Sequence, residues 1–262
     1  MGFSADWLAL RDPADRAARD AVLARRAAEA AGPAPLVVDL GCGTGATWQA
    51  LAPLLPEGTR WRLVDNDPDL LALAGAAAGS AAETVEADLG DLDRLPLAGA
   101  TLVTASALLD LMPAAWVEGL ARRLEVPFYA ALSYDGRMRW SPEDPRDAGV
   151  TRAFNRHQRG DKGLGPALGP DAASHAAAIF EAAGFAVQRA ESPWRLGPDM
   201  AALHRELIDG IGAAAAEAGA VEAAAWARHR HATAESAGCV IGHLDLLACP
   251  ARHMHEEPHV LR

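Results

Sequence analysis

The chain is short of several things at once, and each shortage closes off a class of protein. Three cysteines occur among 262 residues, Cys42, Cys239 and Cys249, too few and too scattered for a disulfide framework or a zinc site. Aromatic residues are 5% of the total, and one lysine, Lys162, stands among 24 cationic residues. Those cations face 35 acidic residues, for a net charge of -11. That balance argues against a large polyanionic partner, because nucleic-acid binding draws on clustered cations. No stretch approaches the ~18 uninterrupted apolar residues of a membrane span. The opening MGFSADWLALRDPADRAARD carries charge where a signal peptide needs an apolar run. The expectation is a cytoplasmic chain with no membrane and no nucleic-acid partner. Half the residues are hydrophobic, enough for one sizeable core with appended elements rather than two full domains.

What the chain does have is LVVDLGCGTG at 36–45, a strand that runs straight into Gly41, Gly43 and Gly45. Glycine lets backbone turn through positive φ and approach a ligand closely. Around this turn, strands alternate with helices. Strands are expected at 36–41, 59–66, 83–88, 101–108, 127–134, 185–192 and 239–249. Helices are expected at 13–31, 45–55, 68–78, 113–125, 170–184, 198–218 and 219–236. Such alternation predicts an α/β fold with a parallel sheet covered by helices on both faces. Residues 136–169, rich in Gly, Pro and charge, read as one long loop.

A strand, a glycine turn and a helix place a nucleotide-like ligand at the carboxyl edge of a parallel sheet. Gly41, Gly43 and Ala46 fit the dinucleotide spacing G-x-G-x-x-[G/A], and Asp65 follows Gly45 by twenty residues, so NAD stays open on spacing. Three details favour another cofactor: Asp39 before the first glycine, Asp65 in LVDNDP, and Asp88 ending the third strand in VEADLGDLDRLP. This set resembles the class I S-adenosylmethionine (SAM)-dependent methyltransferase family, closely over 34–135 and more loosely through two closing strands read as antiparallel.

The resemblance implies a Rossmann-like sheet of seven strands, mostly parallel with an antiparallel last strand. It also implies an N-terminal helical cap (1–33), a main domain (34–250) with a substrate loop (136–169) and a helical insert (198–236), and a tail (251–262). Its cofactor would be SAM. Gly41, Cys42 and Gly43 would present backbone to the methionine part, with Asp39 orienting the turn or the amino group. Asp65, with Asn66 beside it, would bind the ribose diol, Asp88 and Leu89 the adenine, and Ser106 would face the donor methyl or contribute its carbonyl. Carboxylates suit this ligand, since they accept charge-assisted hydrogen bonds and balance its cationic groups.

For a small-molecule acceptor, FNRHQRGDKGLGPALGP (154–170) gathers candidates after the fifth strand. His157 is the candidate general base, its pKa lying near working pH. Asp110 and Tyr134 are rival catalytic groups, with Asp135 beside the latter. Asn155, Arg156, Arg159 and Lys162 are candidate substrate contacts. The N-terminal stretch could fold over the pocket through Trp7, Leu8 and Leu10, with Arg11, Arg16 and Arg19 reaching in. HMHEEPH (253–259) resembles a metal cluster but reads as a loose tail, so no metal is expected. Alternatives are a SAM-binding protein that does not methylate and an RNA or protein methyltransferase. The latter is disfavoured because the fourth strand ends in SALLDLM instead of an Asn/Asp-Pro-Pro-aromatic tetrapeptide.

Overall fold

The computed structural model of the protein describes residues 3–251. Its strands are β1 (Leu36–Leu40), β2 (Arg60–Asp65), β3 (Ala82–Glu86), β4 (Leu102–Ser106), β5 (Phe128–Ser141), β6 (Phe185–Glu191), β7 (Trp194–Leu196) and β8 (Gly238–Pro250). They form one sheet in the order β3-β2-β1-β4-β5-β8-β6, with β7 continuing the outer edge along β8. β1 to β5 are parallel. β8 is antiparallel to both β5 and β6, so it is the reversed strand, and β6 runs with β1 to β5. The sheet is the expected one with two corrections. The sixth strand is not reversed relative to the first five, and the outer edge is split into β6 and β7. Pro193, which has no N–H to give the ladder, lies at that split.

Helices α1 (Ala5–Ala18), α2 (Ala21–Ala30), α3 (Ala46–Leu51), α4 (Pro68–Ala78), α5 (Ala114–Arg123), α6 (Asp147–Gln158), α7 (Ala172–Ala182), α8 (Ala201–Glu217) and α9 (Ala223–Thr233) surround it. Alternate residues of β1 feed two cores, because successive strand side chains point to opposite faces. Val38 and Leu40 pack with Leu120 of α5 and Phe180 of α7. Val37 packs on the other face with Leu23 of α2, Leu51 of α3 and Leu71 of α4.

Three local departures from the sequence reading build the upper part of the molecule. First, the N-terminal helix begins at Ala5, capped by Ser4 Oγ, which accepts the Trp7 N–H at 3.2 Å. It runs through Pro13 and breaks at Arg19, and Asp20 caps α2 by accepting the Leu23 N–H at 2.7 Å. Second, β5 does not stop at 134. Asp135-Gly136 reads as a turn but acts as a bulge, with Gly136 at φ 85° and the Asp135 carboxylate lying across Gly242, where any Cβ would collide. Third, much of the expected loop is α6, which buries Val150 and Ala153 three residues apart on one face.

The extended β5–β8 ribbon therefore rises past the sheet edge. Tyr134, Trp140, Val150, Trp194, Ile208, Ile211, Trp226 and Ile241 form a third core there with α1, α6, α8 and α9. This upper lobe is built on the part of β5 and β8 that runs past the carboxyl end of β4. Among the described residues, no helix is long and apolar enough to cross a membrane.

One buried carboxylate ties the junction of α1 and α2 to the sheet. Asp245 of β8 accepts the Asp20 N–H at 3.0 Å, the Tyr129 hydroxyl at 3.1 Å and the Leu132 N–H at 2.8 Å. Leu132 is the bulged residue of β5, at φ 57°. Asp245→Ala leaves three donors without acceptors and is expected to cost about 3–5 kcal/mol in urea unfolding, since each buried unmet group costs about 1–3 kcal/mol. A loss under about 1 kcal/mol would contradict this role.

Candidate functional site

At the carboxyl edge, β1 passes into a turn where Gly41, Gly43 and Gly45 take φ of 66°, 52° and 90°. The turn is held by its neighbour strand. Cys42 N–H donates to the Val64 carbonyl at 3.0 Å, and Gly43 N–H donates to Asp65 Oδ2 at 2.8 Å. Asp65 Oδ1 accepts the N–H groups of Asn66 at 2.8 Å and Asp67 at 3.1 Å. Asp65 thus shapes the turn as well as facing the edge. Asn66 is exposed immediately after it, and the Cys42 thiol is buried, which pushes its pKa up and keeps it neutral.

The turn is covered closely. A Cβ on Gly43 would stand 3.1 Å from Leu8 Cδ1, and one on Gly41 would meet Leu108 at 3.3 Å and Leu89 at 3.5 Å. Leu8 belongs to α1, so the N-terminal helix lies over the rim.

Asp39 is fully buried beside Thr104, its register partner on β4. Thr104 Oγ1 donates to its Oδ1 at 2.7 Å, and Oδ2 has no partner. Burial pushes its pKa up to about 7, against the pull of Thr104, Thr47 and the Arg19 charge. Arg19 comes from the break after α1. Its Nη2 donates to Ser106 Oγ at 3.1 Å, and its guanidinium lies over the Tyr129 ring at 5.8 Å. Its Nε and Nη1 are buried and unpartnered. A carboxylate with a free lone pair and a guanidinium with free N–H groups therefore share one edge of the turn.

On the far side, Asp88 is exposed and its Oδ1 accepts the Gly90 N–H at 2.8 Å, while the Leu89 carbonyl accepts the Trp116 indole N–H at 2.6 Å.

Asp110 lies in the short 3-10 turn after β4. Burial raises its pKa to about 6, tempered by the N–H groups of Asp110 and Tyr134 and by the Arg11 and Lys162 charges. Its Oδ1 is buried without a partner. Arg11 is buried in a bidentate pair with Asp15, at 2.8 and 3.1 Å, and stacks over Trp194. His243 packs against Trp194 and Tyr134, and burial with the Arg11 charge pushes its pKa down to about 3, so it is neutral.

The other candidates fall into two groups, Tyr134 and Asn155 at the β5 bulge and Arg156, His157, Arg159 and Lys162 around the end of α6. Burial raises the Tyr134 pKa, and its hydroxyl donates to Asn155 Oδ1 at 2.7 Å. Asn155 Nδ2 donates in turn to the Gly136 carbonyl at 2.9 Å, so this amide ties α6 to the β5 bulge. His157, two residues further along α6, points away from that bulge, because positions two apart do not share a helix face. Its Nε2 lies 3.0 Å from Glu217 Oε2. Arg156 donates to the Ala218 carbonyl at 3.0 Å, and Arg159 is paired with Asp171 at 2.8 Å. Lys162 reaches the His157 carbonyl at 3.4 Å. Arg156, His157, Gly160, Asp161, Lys162 and Ala218 line a cavity of about 370 Å³ between the ends of α6 and α8.

Sequence reasoning overlooked Leu108, whose apolar type carried no signal, and His243, isolated in a strand. Among the described residues no His, Cys, Asp and Glu cluster is fit to hold a metal ion. The His-rich stretch 253–259 lies outside the described residues.

Residues 37–126 match the family model described as a methyltransferase domain. Solved structures share the fold at low identity. The YcgJ protein of Bacillus subtilis has a TM-score of 0.53 at 16% identity, over 87% of this chain and 97% of its own. BH2331 of Bacillus halodurans C-125, described as a candidate methyltransferase, gives 0.52 at 17%, over 88% and 99%. The methyltransferase component of the Haloferax volcanii complex with the activator Trm112 gives 0.53 at 17%, over 94% of each chain. No curated protein matches the chain. The domain match falls on the glycine turn and the acids that shape it, so residues 37–126 carry the likeness to a methyltransferase domain and the rest of the chain shares the fold of the solved structures.

Proposed function

We propose that the protein transfers a methyl group from SAM to an oxygen or nitrogen of a small-molecule acceptor held between the sheet edge and the upper lobe. The observation that carries this reading is the pair of unmet groups beside the glycine turn, Asp39 Oδ2 and the Arg19 Nε and Nη1. A zwitterionic amino-acid arm is the ligand that fits them, its ammonium against the carboxylate and its carboxylate against the guanidinium. Gly41, Cys42 and Gly43 would present backbone to that arm. Asp65 and Asn66 would face the ribose, Asp88 and Leu89 the adenine. Ser106, held by Arg19, would stand by the reacting centre. When bound, the cofactor supplies an electrophilic methyl group on a sulfonium sulfur.

The chain's own contribution on the acceptor side is orientation, water exclusion and the removal of one proton. The lobe and α1 cover the edge, which favours a small acceptor over a macromolecular one. Alignment of a nucleophile in such a site supplies much of the rate. Asp110 is the base this reading favours over His157 and Tyr134, because its Oδ1 is buried, unpartnered and placed just past the end of β4. The Tyr134 hydroxyl is already engaged as a donor, and His157 is engaged with Glu217. Arg156, His157 and Lys162, on the wall of the 370 Å³ cavity, would take a polar or anionic end of the acceptor.

Asp110→Asn is expected to lower turnover about 10²–10⁴-fold, read as S-adenosylhomocysteine release over a panel of amine and hydroxyl acceptors, with affinity for that product unchanged. Because the Asp110 carboxyl titrates at about 6, turnover of the unaltered enzyme should rise as pH climbs through that value and deprotonates it. The limb should vanish in the variant, and a variant with full turnover would exclude Asp110 as base. Arg19→Gln is expected to weaken S-adenosylhomocysteine binding about 10- to 100-fold, one charge-assisted hydrogen bond being worth about 1.5–3 kcal/mol. Binding of 5′-methylthioadenosine, which has no amino-acid arm, should stay the same. Equal losses for both ligands would remove the assignment of Arg19 to the arm.

A further inference from the structure

The segment 161–166, DKGLGP, is built as a rigid finger. The Asp161 carboxylate accepts two backbone N–H groups through one oxygen, from Gly163 at 2.7 Å and from Gly165 at 2.9 Å. Those two bonds hold its pKa down. Asp161 and Pro166 close the base as an antiparallel bridge, and Ala167 N–H donates to the Gly160 carbonyl at 3.3 Å. Gly163 and Gly165 take φ of 109° and 108°, a conformation that side chains rarely adopt, so the residue between them is the one free to carry a side chain. That residue is Leu164. Just beyond the base, Leu168 N–H donates to the Met112 carbonyl at 2.8 Å, which anchors the finger to the turn that follows β4.

Leu164 does not enter any core. It is 41% exposed, one of six large apolar side chains so placed among the described residues. It leans on the acidic turn after β3: a Cβ on Gly90 would stand 2.7 Å from Leu164 Cδ2 and 3.1 Å from Asp88 Oδ1. Two glycines at positive φ and a carboxylate are thus used to present one leucine to water, where it contributes little to folding. The same turn carries Leu89, whose side chain reaches back to Gly41, so apolar groups stand on both sides of Asp88.

We infer that Leu164 is the apolar closing contact for the cofactor's adenine, with the 161–166 finger as its rigid mount. This inference rests on the reading of the rim as a SAM site. An aromatic base needs apolar surface for its ring and hydrogen-bonding groups for its edge. Asp88 and the Leu89 backbone would supply the second, Leu164 the first. The Asp161 staple makes the contact ready-made, so closing it on a ligand orders little additional chain.

The test is calorimetric titration of the full chain with S-adenosylhomocysteine and, separately, adenosine. Leu164→Ala changes an exposed loop and should leave the thermal midpoint unaltered. It is expected to weaken both ligands by a similar factor, about tenfold, as removal of a leucine side chain from an apolar contact would. Asp161→Ala, which frees the finger without touching the leucine, should weaken both in the same direction. If the unaltered protein binds S-adenosylhomocysteine and Leu164→Ala binds it and adenosine equally well, the inference is overturned alone. If the unaltered protein binds neither ligand, the reading of the rim fails and takes the inference with it.

Discussion

The Asp65 carboxylate is the constraint on which the candidate site depends. It accepts three backbone N–H groups, from Gly43, Asn66 and Asp67, and so binds the turn after β1 to the turn after β2. A glycine turn is entropically costly and conformationally loose by itself. Cross-linked to a carboxylate one strand away, it keeps a single shape at the sheet edge, beneath Leu8 of α1. Asp39 adds the second half of that arrangement. It is held by Thr104 on the adjoining strand, and one of its oxygens is unmatched at a place where burial makes the charge costly. A cationic group brought to that oxygen would relieve the cost, which is why the proposed reading sets a ligand's ammonium there.

Above this edge, the lobe exists because β5 and β8 continue past the point where the other strands stop. The bulge at Leu132 is held by Asp245, and the one at Gly136 by Asn155 and by the absence of a side chain at Gly242. Each bulge turns the ribbon while keeping it paired, as such insertions do. The ribbon gives α1, α6, α8 and α9 an apolar surface to pack on, and α1 in turn lays Leu8 on the glycine turn and leaves Arg19 beside Ser106. Roof and rim are thus linked through a few buried polar groups.

The lower half of this architecture was legible in the sequence because its signals are local. The strand LVVDL, its glycines and the acids closing the next two strands are written in short stretches, and the parallel order follows from alternation. The lobe was not legible. Asp135-Gly136 carries the signature of a turn, and only contact with Gly242, over a hundred positions away, makes it a bulge. The helix α6 hides in a stretch rich in charge because its buried face is only Val150 and Ala153. For the same reason His157 and Asn155, neighbours in sequence, separate onto different faces, one toward Glu217 and the other toward Tyr134. Asp110 stands in the short stretch LLDLM, and nothing in that stretch shows the burial that raises its pKa.

The most direct measurement of the central claim is a crystal structure of the protein grown with S-adenosylhomocysteine. The account requires the product's amino-acid arm over Gly41 and Gly43, its ammonium turned toward Asp39 and its ribose hydroxyls within hydrogen-bonding distance of Asp65. Density for the ligand at any other place, or an Asp65 carboxylate that makes no contact with it, would contradict the account.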